Sequence, residues 1–330
     1  MSERVAVVSS SYPQTDGDAA GHFVASEVQH LLQAGHEVHV FAPGPDARTP
    51  REAHGAHLHW LADHGAFGWP GAVARLRERP LRVLGAAAFC VSAQRALRRQ
   101  APFSRLQAHF LLPCAWPIST FAFDAACAPA LELVGHGSDV RLFCRLPSPL
   151  RARIARAWLS RAARIRVTSA ELAQRLHAAS PELSRSVHVA ASPLDVSQAP
   201  TRPAARVALG LDETSPVALI VARLVPEKRV AEALSALSLL TSLTVIVVGD
   251  GPDLPALRAR FPAVRFTGYL PRPEALRFIA AADVLVSAST EEGAPSVVRE
   301  ARALGVPVVA VAAGDLASWA ARDSGIFLVR

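Results

Sequence analysis

One stretch in the C-terminal half has the residue types to hold a phosphorylated ligand. Glu292 and Glu300 have seven residues between them in the stretch EEGAPSVVREARALG, where Gly293 and Pro295 lead into a helical pattern. A helix that opens near Pro295 presents unpaired amides with a positive dipole behind them, and an anion would fit there. Glu300 lies one to two turns further along, where its carboxylate could accept hydrogen bonds from a group attached to the anion, such as a ribose diol.

Arg223 and Lys228 supply cations that could meet the same anion. They lie in the loop ARLVPEK, directly after the strand-like run Val217 to Val221. Arginine offers a fork of donors for phosphate oxygens, and lysine offers a compact point charge. Lys228 is the only lysine of the chain, so composition alone does not explain its position. Gly249 follows the next strand-like run, in the loop GDGP.

These loops must be positioned by a parallel α/β layer, because strand-like and helical patterns alternate throughout the second half. The predicted strands are Val217 to Val221, Leu243 to Val248, Val264 to Phe266, Val284 to Ser287, Val308 to Val311 and Ile326 to Val329. The predicted helices lie near Val230 to Leu240, Leu254 to Phe261, Pro273 to Ala281, Pro295 to Leu304 and Leu316 to Ala321. Ligands bind such layers at the carboxyl ends of the strands, where the charged loops lie.

The first half begins with a strand, loop and helix of the same kind. A strand is predicted from Arg4 to Ser9, and a helical pattern opens at Gly21. Gly17 and Gly21 lie in the connecting loop and at the helix start, where such folds approach phosphates with their backbone. Loops also collect glycine without any ligand, so a purely structural role stays open for this pair.

Two histidines lie at predicted strand ends in the first half. His109 falls at the end of the predicted strand Leu106 to Phe110, and His136 follows the strand Leu131 to Val134 between two glycines. Both are therefore expected at the catalytic edge of a doubly wound sheet. A helix is predicted between these strands, from about Pro113 to Cys127.

The stretch from Ser192 onward is rich in proline, serine and glutamine and lacks periodicity, which predicts an interdomain linker over residues 192–209. The 330 residues then form an N-terminal domain at 1–191 and a C-terminal domain at 210–330. Two doubly wound domains joined in this way are expected to face each other across a cleft, which is the predicted active site.

The net charge of +7 raises nucleic acid, anionic lipid or a phosphorylated substrate as partners. The arginine-dense segment from Arg141 to Arg166 has two readings, a basic amphipathic helix resting on acidic headgroups or a solvated face over a core stripe. Aromatic and basic residues do not interleave as in single-strand binders, so nucleic acid is not expected. No apolar run approaches the roughly 20 residues of a spanning helix, so we expect a cytoplasmic protein with at most peripheral contact at the inner face of the membrane.

The N-terminal half contains a group of histidines, His54, His57, His59 and His64. Their spacing matches no ligand pattern, so they are predicted to be surface or loop residues. The four cysteines stand alone, without the close pairs that zinc or dithiol sites use. No metal site is predicted from these residues.

Five motifs in this order resemble the donor domain of glycosyltransferase family 4: VARLVPEK, VVGDGP, VRFTGYL, AADVLVSAS and EEGAPSVVREARALGVPVVA. The resemblance covers about Val217 to Val329 closely and the first half more loosely, through SYPQTDGDAAGHF, GHEVHVFAP, His109 and HGSD. It implies the α/β GT-B architecture, two Rossmann-like doubly wound domains facing across a cleft. It also implies a retaining enzyme that moves a sugar from a nucleotide diphosphate sugar to an acceptor, without metal or cofactor, in surface polysaccharide or glycolipid synthesis.

The resemblance also implies roles for the charged residues of the second half. Arg223 and Lys228 would neutralise the departing diphosphate. Glu300 would bind the ribose hydroxyls, and Glu292 would contact the hydroxyls of the sugar. Loop residues complete the donor-binding set: Gly249, Gly293 and Pro295.

In the first half, the resemblance implies that His136 or His109 touches the transferred sugar near its anomeric carbon. Gly21, and less directly Gly17, would let the backbone approach the diphosphate. The acceptor, a glycan or a lipid-linked sugar, is not specified by these residues.

The chain departs from the family pattern at three places. Ala222 and Arg229 replace the glycines that normally flank the basic loop, and the chain stops at Arg330, where members normally continue into further helices. Two other functions therefore stay open. One is a nucleotide-sugar epimerase on the same architecture, which needs no acceptor, and the other is a noncatalytic nucleotide-sugar-binding or scaffold protein.

Overall fold

A computed structural model of the protein describes residues 2–15, 18, 20–44, 51–53, 55–68 and 72–329. The chain divides into two compact units, Met1–Thr15 with Ala20–Pro193 and Leu194–Arg330 with Asp16–Ala19. Each unit is built on one largely parallel sheet with helices in the connections, as the alternating pattern predicts.

The first unit contains an eight-stranded sheet. Its strands are β1 (Arg4–Ser9), β2 (Glu37–Pro43), β3 (Arg51–Ala53), β4 (Ala56–Leu61), β5 (Arg105–His109), β6 (Ala130–Gly135), β7 (Arg164–Val167) and β8 (Val187–Val189). Its helices are α1 (His22–Gln33), α2 (Ala72–Glu78), α3 (Arg82–Gln100), α4 (Ser138–Cys144), α5 (Ser148–Ser160) and α6 (Ala170–Ala179). The strand order is β3-β4-β2-β1-β5-β6-β7-β8, and only the β3 and β4 pair of this sheet is antiparallel in the part of the chain that the structure describes.

The second unit contains a six-stranded parallel sheet. Its strands are β9 (Val217–Val221), β10 (Thr244–Val248), β11 (Arg265–Gly268), β12 (Val284–Ser287), β13 (Val308–Val311) and β14 (Ile326–Val329). Its helices are α7 (Arg202–Leu209), α8 (Val230–Leu237), α9 (Leu254–Arg260), α10 (Arg272–Ala281), α11 (Ser296–Ala303) and α12 (Leu316–Ala320). The order is β11-β10-β9-β12-β13-β14, so every predicted strand of this half is present and the order reverses beside β9.

The central strands are buried on both faces, because successive residues join different apolar clusters. Val7 and Val8 of β1 pack into two separate clusters, and Leu219 and Ile220 of β9 do the same. A parallel sheet needs cover on both faces, and each fully buried aliphatic side chain contributes about 1.5–3 kcal/mol. This burial fixes the strand ends and therefore the loops that follow them.

The linker predicted over residues 192–209 is wrong in its second half, where the chain forms α7. Ala205 is fully buried against α10. The buried Arg206 guanidinium donates to Asp283 Oδ2 at 2.6 Å, so its charge is paired inside the second unit. The proline-rich pattern was misleading because Pro203 lies in the first helical turn, where a missing amide hydrogen costs no hydrogen bond.

The continuous helix predicted from Pro113 to Cys127 is also wrong. The structure has irregular helical turns over Leu111–Ser119 and a single short turn at Ala125–Cys127. Leu112 and Trp116 have extended backbone angles inside the first segment. Each precedes a proline, whose ring disfavours the helical conformation of the residue before it.

The arginine-dense segment is not one amphipathic helix, since it contains α4, α5 and β7. Arg151 and Arg161 donate to backbone carbonyls of neighbouring segments at 2.8 and 2.9 Å. Arg166 is buried in β7, whereas Arg153 is exposed on α5. Several arginines of this segment therefore stabilise the fold through hydrogen bonds and ion pairs, and the other arginines face solvent.

Candidate functional site

The loops that carry Lys228 and Glu292 follow two adjacent strands of the second unit. β9 and β12 are adjacent, and the chain builds the sheet outward in opposite directions from this pair. Such a reversal leaves a crevice beyond the carboxyl ends of the two strands, where α/β folds bind ligands. Lys228 lies in the loop after β9, and Glu292 lies in the loop after β12.

An ion pair joins these two loops. Lys228 Nζ lies 2.5 Å from Glu292 Oε1, and the two side chains are 16% and 15% exposed. The Thr290 amide donates to Glu227 O at 3.2 Å, so backbone contacts tie the loops as well. An ammonium group has three donors and can hold a carboxylate and a phosphate oxygen at the same time.

Two glycines allow the loops around this crevice to pack closely. A Cβ on Gly249, where φ is 141°, would lie 1.8 Å from Ala222 O. A Cβ on Gly314, where φ is 54°, would lie 2.5 Å from Gly293 O. Gly249 therefore has a packing role, and its donor contact stays a prediction. Gly314 was missed because a lone glycine after a strand gives no distinctive signal.

Glu300 is buried in α11 and pairs with an arginine that sequence reasoning missed. Its side chain is 9% exposed, and Oε1 lies 2.9 Å from Nη2 of Arg272 at the start of α10. The same nitrogen donates to Asp195 O at 2.6 Å. Arg272 thus balances the buried carboxylate and orients it. An arginine in the first turn of a helix carries no signal in the sequence, because its partner lies 28 residues away.

The other predicted donor residues lie on the same loops. Arg223 is exposed in the loop after β9, and Gly293 and Pro295 are buried in the loop after β12. α11 begins directly after Pro295, as predicted. The structure brings Lys228 to the loop of Glu292, and the convergence of Arg223 on the same point stays a prediction.

Arg229, at a position where the family pattern has glycine, adopts a left-handed backbone with φ 49° and ψ 40°. This conformation costs a residue with a Cβ about 1–2 kcal/mol. Its ion pair with Glu232 spans 3.2 Å between two exposed side chains, and such pairs contribute little. Strain is therefore stored directly beside Lys228.

We expect Arg229→Gly to raise the free energy of unfolding by about 1 kcal/mol, because glycine adopts this backbone conformation without a clash. Urea unfolding of both proteins measures the difference. Arg153→Gly, at an exposed position inside α5, is the matched control and should lower the free energy of unfolding by about 1 kcal/mol. A destabilised Arg229→Gly protein would show that the left-handed residue is not strained.

In the first unit, His109 and His136 form a pair at the carboxyl edge of the sheet. His109 ends β5, His136 follows the adjacent β6, and His109 Nδ1 lies 3.1 Å from His136 Nε2. His109 is fully buried, and His136 is partly buried with its ring centroid 4.5 Å from Phe23 and 4.9 Å from Phe110. Both histidines therefore lie where the strand pattern placed them.

Asp139 holds the turn that carries His136. Its carboxylate accepts the amide hydrogens of His136 at 3.0 Å, Gly137 at 2.9 Å and Leu111 at 2.7 Å. Burial raises the pKa of Asp139, and these amide hydrogen bonds oppose that shift. The aspartate of the HGSD motif thus acts on the backbone around the histidine.

Phe110 has φ 76°, a region that bulky residues rarely occupy. Such a residue costs on the order of 1–3 kcal/mol, and strain of this kind concentrates at functional sites. The turn directs the Phe110 ring toward Phe23, with centroids 6.1 Å apart, and toward His136. The strained residue therefore helps to build the wall around the His136 imidazole.

A buried charge network lies beneath the two histidines. Arg166 Nη2 lies 2.9 Å from Glu27 Oε1, and Arg166 Nε lies 3.3 Å from Glu132 Oε1. Burial lowers the pKa of His109 and of His136, and the positive charge of Arg166 lowers both further. Both imidazoles are therefore neutral at pH 7, with one donor and one acceptor nitrogen each.

We expect the free energy of unfolding to fall as the pH is lowered from 7.5 to 5. Fully buried His109 and partly buried His136 resist protonation in the folded state, whereas unfolded histidines take up a proton near pH 6.5. Below that pH the unfolded state binds more protons, and each such histidine lowers stability by up to about 1.4 kcal/mol per pH unit. Urea unfolding at several pH values measures the slope, and His136→Gln should flatten it, whereas His30→Gln on the exposed face of α1 should not. A stability that is constant or rises toward pH 5 would contradict the neutral state of this histidine pair.

Gly21 stands at the start of α1 with φ 72°, and a Cβ there would lie 2.4 Å from Ser11 O. Only glycine fits this close approach of the loop to the helix start. Gly17 lies outside the described residues, so its predicted contact has no structural counterpart here.

Comparisons with known proteins show what the chain resembles as a whole. The family model described as glycosyl transferases group 1 matches residues 201–327. A Bacillus subtilis protein, whose name assigns it to teichuronic acid biosynthesis as a glycosyltransferase, is 27% identical over 332 residues, covering 94% of this chain and 81% of the relative. A GDP-mannose-dependent alpha-mannosyltransferase of Mycobacterium tuberculosis is 29% identical over 323 residues, covering 94% of this chain and 79% of the relative.

Among solved structures, sucrose-phosphate synthase from Thermosynechococcus elongatus aligns with a TM-score of 0.72 at 19% identity, covering 99% of this chain and 86% of that chain. The two sheet orders and this likeness define the class of fold, which is GT-B with two Rossmann-like units. The second unit matches the glycosyl transferases group 1 model, and the similarity to two glycosyltransferases over 94% of the chain supports glycosyltransferase activity. The resemblance drawn from the sequence is confirmed at this level, and the family number stays a prediction.

Proposed function

We propose that this glycosyltransferase moves a sugar from a nucleotide diphosphate sugar to a glycan or lipid-linked acceptor with retention of anomeric configuration. The observation that carries the proposal is the Lys228–Glu292 pair at the crevice beside β9 and β12, with Glu300 buried in the helix that opens next to it. One relative is named for its dependence on GDP-mannose, so GDP-mannose is the first donor to test.

In the proposed reaction, the bond between the anomeric carbon and the diphosphate oxygen breaks, and the acceptor hydroxyl oxygen bonds to that carbon on the same face. The leaving phosphate oxygen takes the acceptor proton. Negative charge develops on the phosphate, and Lys228 and Arg223 would neutralise it. A preorganised group of this kind typically contributes about 3 kcal/mol, so the protein itself would supply the cations and no metal is needed.

Other predicted residues would orient the rest of the donor. Glu300 would accept hydrogen bonds from the ribose hydroxyls while Arg272 holds its carboxylate, and Glu292 would contact the sugar. In the first unit, His136 or His109 would offer a neutral imidazole to the transferred sugar. Gly21 would let the loop backbone approach the diphosphate.

A donor screen tests the proposal. The protein is incubated with GDP-mannose, UDP-glucose and ADP-glucose, and release of nucleoside diphosphate is measured together with the thermal shift. We expect one donor to be hydrolysed slowly and to raise the melting temperature, with and without EDTA. NMR of the product with the acceptor then found should show the anomeric configuration of the donor. Inversion would overturn the retaining mechanism, and calorimetry without binding of GDP, UDP or ADP would favour a noncatalytic protein.

We also propose that the first unit contacts anionic membranes peripherally through α3 and the turn before it. Leu81, Val83 and Leu84 are 80%, 57% and 68% exposed, and the exposed Arg79 lies two residues before Leu81. Apolar and basic side chains together suit an anionic lipid surface. None of the helices in the described part of the chain has the length and apolarity to cross a bilayer.

Vesicle sedimentation measures this contact. We expect the protein to sediment with vesicles of phosphatidylcholine and about 30% phosphatidylglycerol, and binding to weaken as salt rises. Leu84→Glu should lower the bound fraction about tenfold, since a buried leucine is worth about 1.5–3 kcal/mol. Leu239→Glu, at an 80% exposed leucine of the second unit, is the matched control and should bind as the parent protein does. Equal binding of both variants would contradict the role of α3.

A further inference from the structure

A separate group of metal-ligating side chains lies at the amino end of the first sheet, opposite the edge that carries His109. Glu37 begins β2, and His39 of β2 stands beside His57 of the parallel strand β4. One carboxylate oxygen of Glu37 and one ring nitrogen of each histidine lie within 4.8 Å of one another. Strand pairing, not spacing along the chain, brings these three donors together.

Hydrogen bonds and ring stacking hold the cluster. His39 Nε2 lies 2.8 Å from Glu37 Oε1, and His39 Nδ1 lies 3.0 Å from His59 Nε2. The His39 ring is stacked on His57 with centroids 4.5 Å apart. His57 and His59 are therefore partly buried strand residues and not the surface or loop histidines that their spacing predicted. Of the other two, His64 is exposed in a turn, and His54 lies outside the described residues.

The donor types of the cluster suit a cation, because one carboxylate and two imidazoles lie together. Neutral imidazole and ionised carboxylate are the forms that bind metal ions.

We infer that Glu37, His39 and His57 bind a divalent cation of the zinc class that links β2 to β4. Two histidines and one glutamate form a common zinc donor set, which leaves a fourth position for water. Tetrahedral zinc needs donor atoms about 3.3 Å apart. The donor atoms here lie within 4.8 Å of one another, and rotation of the partly buried His57 side chain would bring its nitrogen closer to the other two. The site lies away from the catalytic edge, so it is a structural site and does not enter the proposed transfer reaction.

Two neighbours modify this site. With His39 bound through Nε2, its Nδ1 would carry the proton and donate to His59, and such partners fix the orientation of ligating histidines. Arg4 Nε donates to Glu37 Oε1 at 2.9 Å. A bound cation must therefore either replace Arg4 at this carboxylate or share the carboxylate with it. Because Arg4 competes with the cation for the Glu37 carboxylate, we expect the Arg4→Gln protein to bind the metal more tightly than the parent protein.

The test uses tag-free protein that is stripped with EDTA and titrated with CoCl2, whose visible absorption reports coordination, followed by displacement with ZnCl2. We expect one equivalent of Co2+ to bind, Zn2+ to displace it and Zn2+ to raise the melting temperature. His57→Ala should abolish the absorption, and His59→Phe should weaken binding about 10–100-fold. His30→Ala, at an exposed histidine of α1, is the control and should bind as the parent protein does.

Glu37→Gln provides a second ligand variant, because Glu37 is exposed at the strand start and its substitution leaves the core intact. Loss of Co2+ binding in Glu37→Gln supports the site even if His57→Ala fails to fold. The inference is overturned if the parent protein takes up no Co2+ at equimolar concentration, or if Glu37→Gln binds it as tightly as the parent protein.

Discussion

Glu300→Gln is expected to lower nucleotide-sugar turnover at least about 100-fold, because hydrogen bonds to a charged acceptor contribute about 1.5–3 kcal/mol each and two ribose hydroxyls are involved. Glutamine has the shape of glutamate, so it fits the buried position in α11 and the protein should remain folded. Steady-state kinetics with the donor found in the screen measure the loss, and thermal unfolding checks the fold.

The surface pair Glu274–Arg277 provides the matched control for this experiment. Glu274 Oε2 lies 2.7 Å from Arg277 Nη1 in α10, and both side chains are more than one-third exposed. Glu274→Gln should therefore leave turnover unchanged.

Arg272→Gln should lower turnover as well, because Glu300 then loses the group that orients it. Arg272→Lys should recover part of the loss. A folded Glu300→Gln protein with unchanged turnover would remove Glu300 from the donor site.

Lys228→Met is expected to lower kcat by about 10²–10³-fold, with a smaller effect on KM. The ammonium group is proposed to act on charge that develops as the diphosphate departs, so its loss should be felt mainly in the transition state. Methionine keeps most of the side-chain volume. The comparison of kcat and KM separates this role from simple donor binding.

Because Lys228 pairs with Glu292, a purely structural role of Lys228 can also be tested. If Lys228 served only to neutralise a partly buried carboxylate, the double variant Lys228→Met with Glu292→Gln would recover both stability and turnover. We expect stability to recover and turnover to stay low. Arg277→Met removes a cation from the control pair and should leave kcat unchanged. Recovered turnover in the double variant would show that the pair is structural.

The secondary structure of the second unit followed closely from the sequence, because apolar periodicity is a local property. β9 and β12 begin and end at the predicted residues, and α11 begins one residue after the predicted start. In a parallel α/β layer, the loop that follows a strand lies at the carboxyl edge of the sheet, independently of the strand order. Lys228, Glu292 and His136 could therefore be assigned to binding edges before the structure was known.

The two errors in secondary structure both occurred in segments that contain proline. Pro203 lies in the first turn of a helix, whereas the prolines after Leu112 and Trp116 interrupt the helical turns that contain them. The sequence around these prolines does not distinguish the two cases. Whether a proline starts or breaks a helix depends on which backbone amides already lack partners. That is decided by packing, which a single-sequence pattern does not contain.

The sequence by itself determined the class of fold, the strand edges and the charged residues that face them, because these depend on residue type and short-range periodicity. Only the tertiary structure decided which side chains meet: Lys228 with Glu292 across 64 positions, Glu300 with Arg272 across 28, and His39 with His57 between paired strands. The physical reason is that strand order and register set these distances, and both result from burying the two faces of each sheet.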